Sequence, residues 1–342
     1  MKIEEGFTFD DLLLKPKHST VKSRSQVDLS VKLTKGIELS LPFIPANMSD
    51  IVGKEMVLKM SQHGAMSLLH RFSPIDDQIL LIQELFHISP IMPNFVGVSV
   101  GVKPADYFNV DTFCGLGVKI VCVDIAHVDS TLGLQMVEYI HRNYPEMLLI
   151  AGNVATGDAA VRVWEAGADV VKVGIGSSGI CSTRLEAGAG VPQLSAIMDV
   201  ANAKHELQSK IGRPIFFISD GGHKKSADCV KSLCFADMVM LGGMLSGTDE
   251  SNGVNVSVGG KKYKSYSGSS TYKLDRVEGV KGLVESKGPV DAIIKRLSEG
   301  LQSGCSYQNC HNLAELKEDP TFVRITNAGI KESGIYGVDI RE

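Results

Sequence analysis

Short apolar runs ending in small or polar residues recur along the chain. They fall at residues 41–48, 65–70, 95–101, 119–126, 148–154, 170–176, 214–221 and 238–243. Each is too short for a buried helix. Several are rich in Val and Ile, as expected of strands buried on both faces. Between them, apolar residues take helical spacing over 53–62, 73–86, 130–143, 158–166, 195–207 and 224–233. Strand alternating with helix predicts an α/β protein with a parallel sheet. Eight such strands fit a closed (β/α)8 barrel better than an open doubly wound sheet. After the eighth run the rhythm stops. Residues 246–288 are rich in Gly, Ser, Lys and Tyr, with Tyr263, Tyr266 and Tyr272 interleaved. A connection of that length predicts a lid or a segment without structure of its own. A last amphipathic helix is expected over 290–301, outside the barrel. No Pro- or Ser-rich linker divides the chain, so residues 1–342 read as one domain with terminal extensions.

Composition narrows the function classes. The chain has 342 residues, 44% of them hydrophobic, enough for a large core. Its formal net charge is -4, with both signs interspersed, which argues against a nucleic-acid or anionic-membrane partner. No apolar run approaches the ~18 residues of a membrane span. The start, Met1-Lys2-Ile3-Glu4-Glu5-Gly6, lacks an apolar signal region. Seven cysteines, an odd number without paired spacing, fit a reducing compartment, and a cytoplasmic location is expected. Cys305 and Cys310 form no second pair that would complete a zinc site.

The predicted strand ends carry the candidate chemistry: Asn47, His70, Asp124, Asn153, Gly174, Gly176, Asp220, Gly221, Gly242 and Gly243. In a barrel these gather at the C-terminal face, where active sites lie. The pairs Gly221-Gly222 and Gly242-Gly243 follow strands seven and eight, the usual phosphate site of such barrels; one pair alone could simply make a tight turn. Most telling is the loop from Lys172 to Arg184, Gly/Ser-rich and ending beyond Cys181. Backbone N–H groups of such a loop suit an anion, and a thiol beside it suits covalent chemistry on a phosphorylated substrate. The alternative is a buried structural cysteine after a flexible turn.

Five motifs occur in order. They are Phe9-Asp10-Asp11-Leu12-Leu13-Leu14, Ala151-Gly152-Asn153-Val154-Ala155-Thr156, the loop 174–184 followed by Gly190-Val191-Pro192-Gln193, Ser219-Asp220-Gly221-Gly222, and Met240-Leu241-Gly242-Gly243-Met244. In order and spacing they resemble the IMP dehydrogenase/GMP reductase family over residues 7–326, nearly the whole chain. The resemblance implies a (β/α)8 barrel, independently of the strand count. It implies NADPH-dependent reductive deamination of GMP to IMP and ammonia, or, as the alternative, dehydrogenation of IMP by a member lacking the inserted regulatory domain. The reductase is favoured because there is no room for an insert after the second strand. In addition, Tyr263, Tyr266 and Tyr272 follow Lys262, Ser265 and Thr271, so the Arg-Tyr pair of the dehydrogenase flap is missing.

By the same resemblance, Cys181 is the nucleophile, with Thr183 and Glu278 as the proton-transferring pair; Glu278 could instead be an ordinary exposed carboxylate. Asp220 falls on the ribose. Gly221, Gly222, Gly242 and Gly243 fall on the phosphate, and Gly268 and Ser269 on the base. Asp124, Ala126 and Arg71 fall on the nicotinamide end, although Asp124 could equally cap the next helix. Backbone carbonyls of Gly174, Gly176 and Cys181 fall where members bind a monovalent cation, for which K⁺ is expected. A homotetramer is expected. The chain departs from the family at Gly176-Ser177-Ser178-Gly179. The serine that contacts phosphate falls at Gly179, and Ser178 is the substitute candidate.

Overall fold

The computed structural model describes residues 3–268 and 280–334. Eight parallel strands form one sheet: β1 (Phe43–Pro45), β2 (Ser67–Leu69), β3 (Val96–Val100), β4 (Ile120–Asp124), β5 (Leu148–Val154), β6 (Val170–Val173), β7 (Phe216–Asp220) and β8 (Met238–Leu241). β8 pairs back onto β1, with Val239 opposite Phe43 and Leu241 opposite Pro45. Only the β1–β2 seam lacks a ladder among the described residues; there the strands lie side by side. The predicted (β/α)8 barrel is therefore present. The ladders are shorter than the apolar runs, because residues such as Ala46, Asn47 and Met48 continue past the last pairing into the rim. All five residues of β3 are buried, as a strand covered on both faces requires.

The helices alternate with the strands: α1 (Lys54–Gln62), α2 (Ile75–Ile88), α3 (Pro104–Gly115), α4 (Thr131–Asn143), α5 (Gly157–Glu165), α6 (Gln193–Ile211), α7 (Ser226–Leu233) and α8 (Val290–Tyr307). Two are capped as their sequences direct. Ser130 Oγ accepts from Gly133 N at the start of α4, and Thr156 Oγ1 from Ala159 N at the start of α5. With Ser130 in that role, Asp124 is not the cap of α4. Trp164, fully buried on α5, donates its indole N–H to the Phe216 carbonyl at 3.1 Å. It packs helix to sheet, as a lone tryptophan on an apolar helix face suggests.

Two regions differ from expectation. The helix expected over 290–301 runs on to Tyr307. Gly300 and Gly304 look like stop signals, but they lie against α7. A Cβ on Gly300 would stand 2.5 Å from Ser226 Cβ, and one on Gly304 2.5 Å from a Val230 methyl. The glycines let two helices touch. The region 246–288 is also more regular than its composition suggests. It forms an antiparallel sheet of β9 (Asn255–Val258), β10 (Lys261–Ser267) and β11 (Lys281–Glu285). Gly259 and Gly260, both at positive φ, make the two-residue turn between β9 and β10, where a side chain would be strained. At the chain's ends, Leu12–Leu14 pairs antiparallel with Phe322–Arg324. No helix of the described residues is long and apolar enough to cross a membrane.

Candidate active site

The C-terminal ends of the barrel strands surround two adjoining cavities. One, of about 190 Å³, is walled by Cys181, Thr183, Asp124, Ala126, Asn153 and Gly268. The other, of about 560 Å³, borders Gly222, Gly242, Gly243 and Tyr266. Ser178, Asp220 and Gly221 line both. The fold thus brings together most of the residues singled out in the sequence. Gly174 and Gly176 belong to the first wall. Arg71 does not line it: its Nε donates to the Asp124 carbonyl at 2.9 Å, and its guanidinium lies over the Phe72 ring. Ser269 and Glu278 lie outside the described residues.

A lysine that sequence reading passed over sits at the centre. Lys172 is 2% exposed, in the otherwise apolar strand β6. Its Nζ donates to Asp124 Oδ1 at 2.7 Å and lies 3.4 Å from Asp220 Oδ2. The barrel register explains the reach. Asp124 on β4 pairs with Gly152 on β5, and Gly152 with Lys172 on β6. A Cβ at Gly152 would stand 2.4 Å from Lys172 Cβ. The missing side chain between them lets Lys172 cross to Asp124. Burial opposes both charges. The pairing outweighs it, holding Asp124 below the usual carboxylate range and Lys172 well above the usual lysine range. Asn153 completes the network, its Nδ2 donating to Asp220 Oδ2 at 2.9 Å and to the Gly174 carbonyl at 2.7 Å. The one sequence signal for Lys172 was a single charge inside a Val-rich strand.

Cys181 stands at the far end of the β6 loop, two residues before the one-turn helix Thr183–Glu186. Its Sγ lies 3.2 Å from Thr183 Oγ1. The loop is tied down from β7: Ser177 Oγ donates to the Asp220 carbonyl at 3.1 Å. Gly221 follows at φ +90, and a Cβ there would meet Ser177 Oγ at 2.8 Å. Glycine at 221 thus serves both a left-handed turn and a close approach.

The larger cavity holds groups the sequence did not flag. The Tyr266 hydroxyl is buried with Ser178 as its polar neighbour, at a geometry short of a well-formed hydrogen bond. Burial pushes it up to about 12, so it remains a donor. Lys287 Nζ donates to the Gly243 carbonyl at 2.5 Å. Beneath the cavity, His223 lies 2.8 Å from Ser232 Oγ and stacks on Phe9 at 5.2 Å between ring centroids. Burial lowers the His223 imidazole from 6.5 to about 4. The unfolded chain binds that proton first, so stability carried by neutral His223 is complete above pH 6.5 and lost as pH falls to about 4. The expected loss is roughly 3 kcal/mol. Urea titrations across that window should show a shallower pH slope for His223→Asn than for the wild type. An unchanged slope would remove His223 from the account.

The arrangement suits an anion held by glycine backbone and a nucleophile beside the group the anion carries. Among the described residues no cluster of His, Cys, Asp and Glu could hold a metal ion. The IMP dehydrogenase / GMP reductase domain matches residues 6–336 of the chain. The GMP reductase of Photobacterium profundum is 35% identical over 98% of this chain and 99% of its own. An inosine-5'-monophosphate dehydrogenase of Nitrosopumilus maritimus is 30% identical over 99% of each. The crystal structure of a cysteine-to-alanine GMP reductase from Trypanosoma brucei, in complex with guanosine 5'-monophosphate, superposes with a TM-score of 0.90 at 27% identity, covering 98% of this chain and 99% of that one. With a barrel of this topology, a loop cysteine beside its threonine and a match over nearly its whole length, the chain belongs to the IMP dehydrogenase/GMP reductase family of oxidoreductases.

Proposed function

We propose that the protein is a GMP reductase, converting GMP and NADPH to IMP, ammonia and NADP⁺ through a covalent bond between Cys181 and C2 of the purine. The observation that carries this is a juxtaposition: Cys181 Sγ 3.2 Å from Thr183 Oγ1, in a cavity that runs past Asp220 into one bordered by two glycine pairs. Asp220, held by Asn153 and Lys172, accepts hydrogen bonds from the ribose hydroxyls. Backbone N–H groups at Gly221, Gly222, Gly242 and Gly243, with the Tyr266 hydroxyl and Ser178, take the phosphate. Gly268 faces the base, and Ser269 is assigned beside it.

The Cys181 thiolate adds to C2, and the bond from C2 to the exocyclic nitrogen breaks. That nitrogen must be protonated to leave as ammonia, and Thr183 with Glu278 supply the proton. Reduced nicotinamide, when bound, contributes hydride to C2. The C2–S bond then breaks, regenerating the thiolate and leaving IMP. The same cavity is also walled by Ala126 and Phe72, a small and a flat side chain that suit a planar ring. Asp124 and Arg71 shape that end. A potassium ion on the carbonyls of Gly174, Gly176 and Cys181 belongs to the same reading. The Gly174 oxygen already accepts from Asn153 and has a second lone pair to offer. A homotetramer in the cytoplasm, with a closing segment within 246–288, completes it.

Lengths favour the reductase over the dehydrogenase. The N. maritimus dehydrogenase aligns over 479 positions, so at least 137 (479 − 342) fall opposite gaps in this chain. The P. profundum reductase aligns over 357, so the corresponding minimum is 15 (357 − 342). The connection between β2 and β3 holds α2 and a single 3-10 turn at Met92–Asn94. The test is direct: incubate the protein with GMP plus NADPH, and separately with IMP plus NAD⁺, and follow the absorbance of reduced cofactor. Consumption in the first supports the reductase. Production in the second supports the dehydrogenase.

Glu278→Gln separates proton transfer from hydride transfer. Glutamine keeps the shape but carries no proton to shuttle. Ammonia release should fall at least about a hundredfold, in the range general acid catalysis supplies. Hydride exchange between reduced and oxidised cofactor in the presence of IMP should survive. Equal loss of both would make Glu278 a placing residue.

A further inference from the structure

The larger cavity carries more positive charge than glycine backbone needs. Lys224, Lys287 and Arg296 all line it. Asp220 is its one carboxylate among the described residues, and Asn153 and Lys172 already occupy that group. The other charged side chains of α8 illustrate the contrast. Asp291 pairs with Lys59 and His63, and Lys295 lies 3.9 Å from Glu299. Arg296, on the same helix, makes no ion pair or hydrogen bond among the described residues. Lys287 uses protons on the carbonyls of Gly243 and Met244, at 2.5 and 3.4 Å, and has a third to offer. Burial, and then the nearby Arg296 charge, push the Lys287 ammonium below its ordinary range. Two like charges thus line one cavity, and neither forms an ion pair among the described residues. The buried Tyr266 hydroxyl, beside Ser178, lines the same space.

Room is available in the loop opposite. A Cβ at Gly179 would meet nothing within 4 Å, so this position adds backbone alone, next to the hydroxyls of Ser177 and Ser178 that line the same cavity. A phosphate monoester, with charge of about −1.5 to −2 and several acceptor oxygens, is the anion that matches two cations, a hydroxyl and glycine N–H groups.

We propose that Arg296, seconded by Lys287, is a specificity-determining residue: from α8 it supplies side-chain charge that grips the 5'-phosphate and selects nucleoside monophosphates. The assignment rests on the reading of this face as a purine-monophosphate site, whichever direction the reaction runs. The guanidinium fork suits the paired oxygens of a phosphate better than an ammonium does.

Arg296 is exposed on α8, so Arg296→Leu should fold with the wild-type thermal midpoint. Equilibrium binding of GMP and of IMP is measured for wild type, Arg296→Leu and Arg296→Lys by calorimetry, at low and at high sodium chloride. At low salt, Arg296→Leu should bind both nucleotides about tenfold more weakly. Its affinity should fall less with salt than that of wild type, because one screened charge is gone. Arg296→Lys should keep the salt response at intermediate affinity. Unchanged affinity for Arg296→Leu overturns the proposal. So does weaker binding with the wild-type salt response, or a loss confined to one of the two bases. If wild type binds both monophosphates but turns over neither, the functional reading fails while the Arg296 comparison still stands.

Discussion

Cys181→Ser should lower GMP turnover by more than about a hundredfold while GMP binding persists, because a nucleophile acts in every turnover. The substitution replaces sulfur by oxygen and leaves the shape almost intact. A serine hydroxyl is far less acidic than a thiol, and it attacks only when a base removes its proton. Among the described residues, the hydrogen-bonding neighbour of Sγ is the Thr183 hydroxyl, itself no base. The groups assigned to the ribose and phosphate, Asp220 and the glycine pairs, lie along the neighbouring wall and do not depend on the sulfur. Binding and chemistry therefore separate. Hydride exchange through IMP should vanish with turnover, in contrast to Glu278→Gln. Retention of more than about a hundredth of the wild-type rate would end the nucleophile assignment.

The largest effect on stability is expected at Lys172. Lys172→Met fits the space of the stem but leaves Asp124 and Asp220 facing each other without their shared cation. Removing one partner of a buried ion pair costs about 3–5 kcal/mol, a large part of the 5–15 kcal/mol by which folded domains are stable. Denaturant titration at neutral pH should show this as a lower midpoint. The sign with pH follows from Asp124. Its folded carboxyl lies below the unfolded value of 3.8, so its contribution is present above that value and is lost as pH falls through the folded one. The gap between wild type and Lys172→Met should therefore narrow in acid. Adding Asp124→Asn to Lys172→Met should recover part of the loss, since one uncompensated charge disappears. A Lys172→Met protein within about 1 kcal/mol of wild type at neutral pH would show that water or rearrangement replaces the lysine.

The strand rhythm was legible in the sequence because parallel barrel strands are buried on both faces and read as unbroken Val/Ile runs. The gathering of polar residues at one rim was legible for a related reason. Asp124, Asp220 and the glycine pairs stand where apolar runs stop, with Cys181 in the loop that follows one, and a barrel puts every such stop at one rim. The β9–β10 hairpin was there to be read as well. Val254-Asn255-Val256-Ser257-Val258, then Gly259-Gly260, is alternation followed by a two-residue glycine turn. Its surrounding composition, rich in Lys and Ser, hid it.

Other features had no local signal. α3 buries only Val110 and Phe113 fully and leaves Phe108 69% exposed, so its apolar residues do not fall on one stripe. Gly300 and Gly304 carry the pattern of a helix end, and only the surface of α7 shows why the helix continues. Lys172 meets Asp124 and Asp220 across strands 48 residues away in either direction along the chain. That meeting depends on barrel register and on the missing side chain at Gly152. Arg296 and Lys287 reach the cavity from beyond the eighth strand, on segments whose own sequence names no ligand. Hydrophobic period and strand-end chemistry are local properties, and the sequence alone determined them. Charge pairing, helix contact and the cationic wall of the larger cavity depend on register between distant strands and helices, and only the closed barrel decided those.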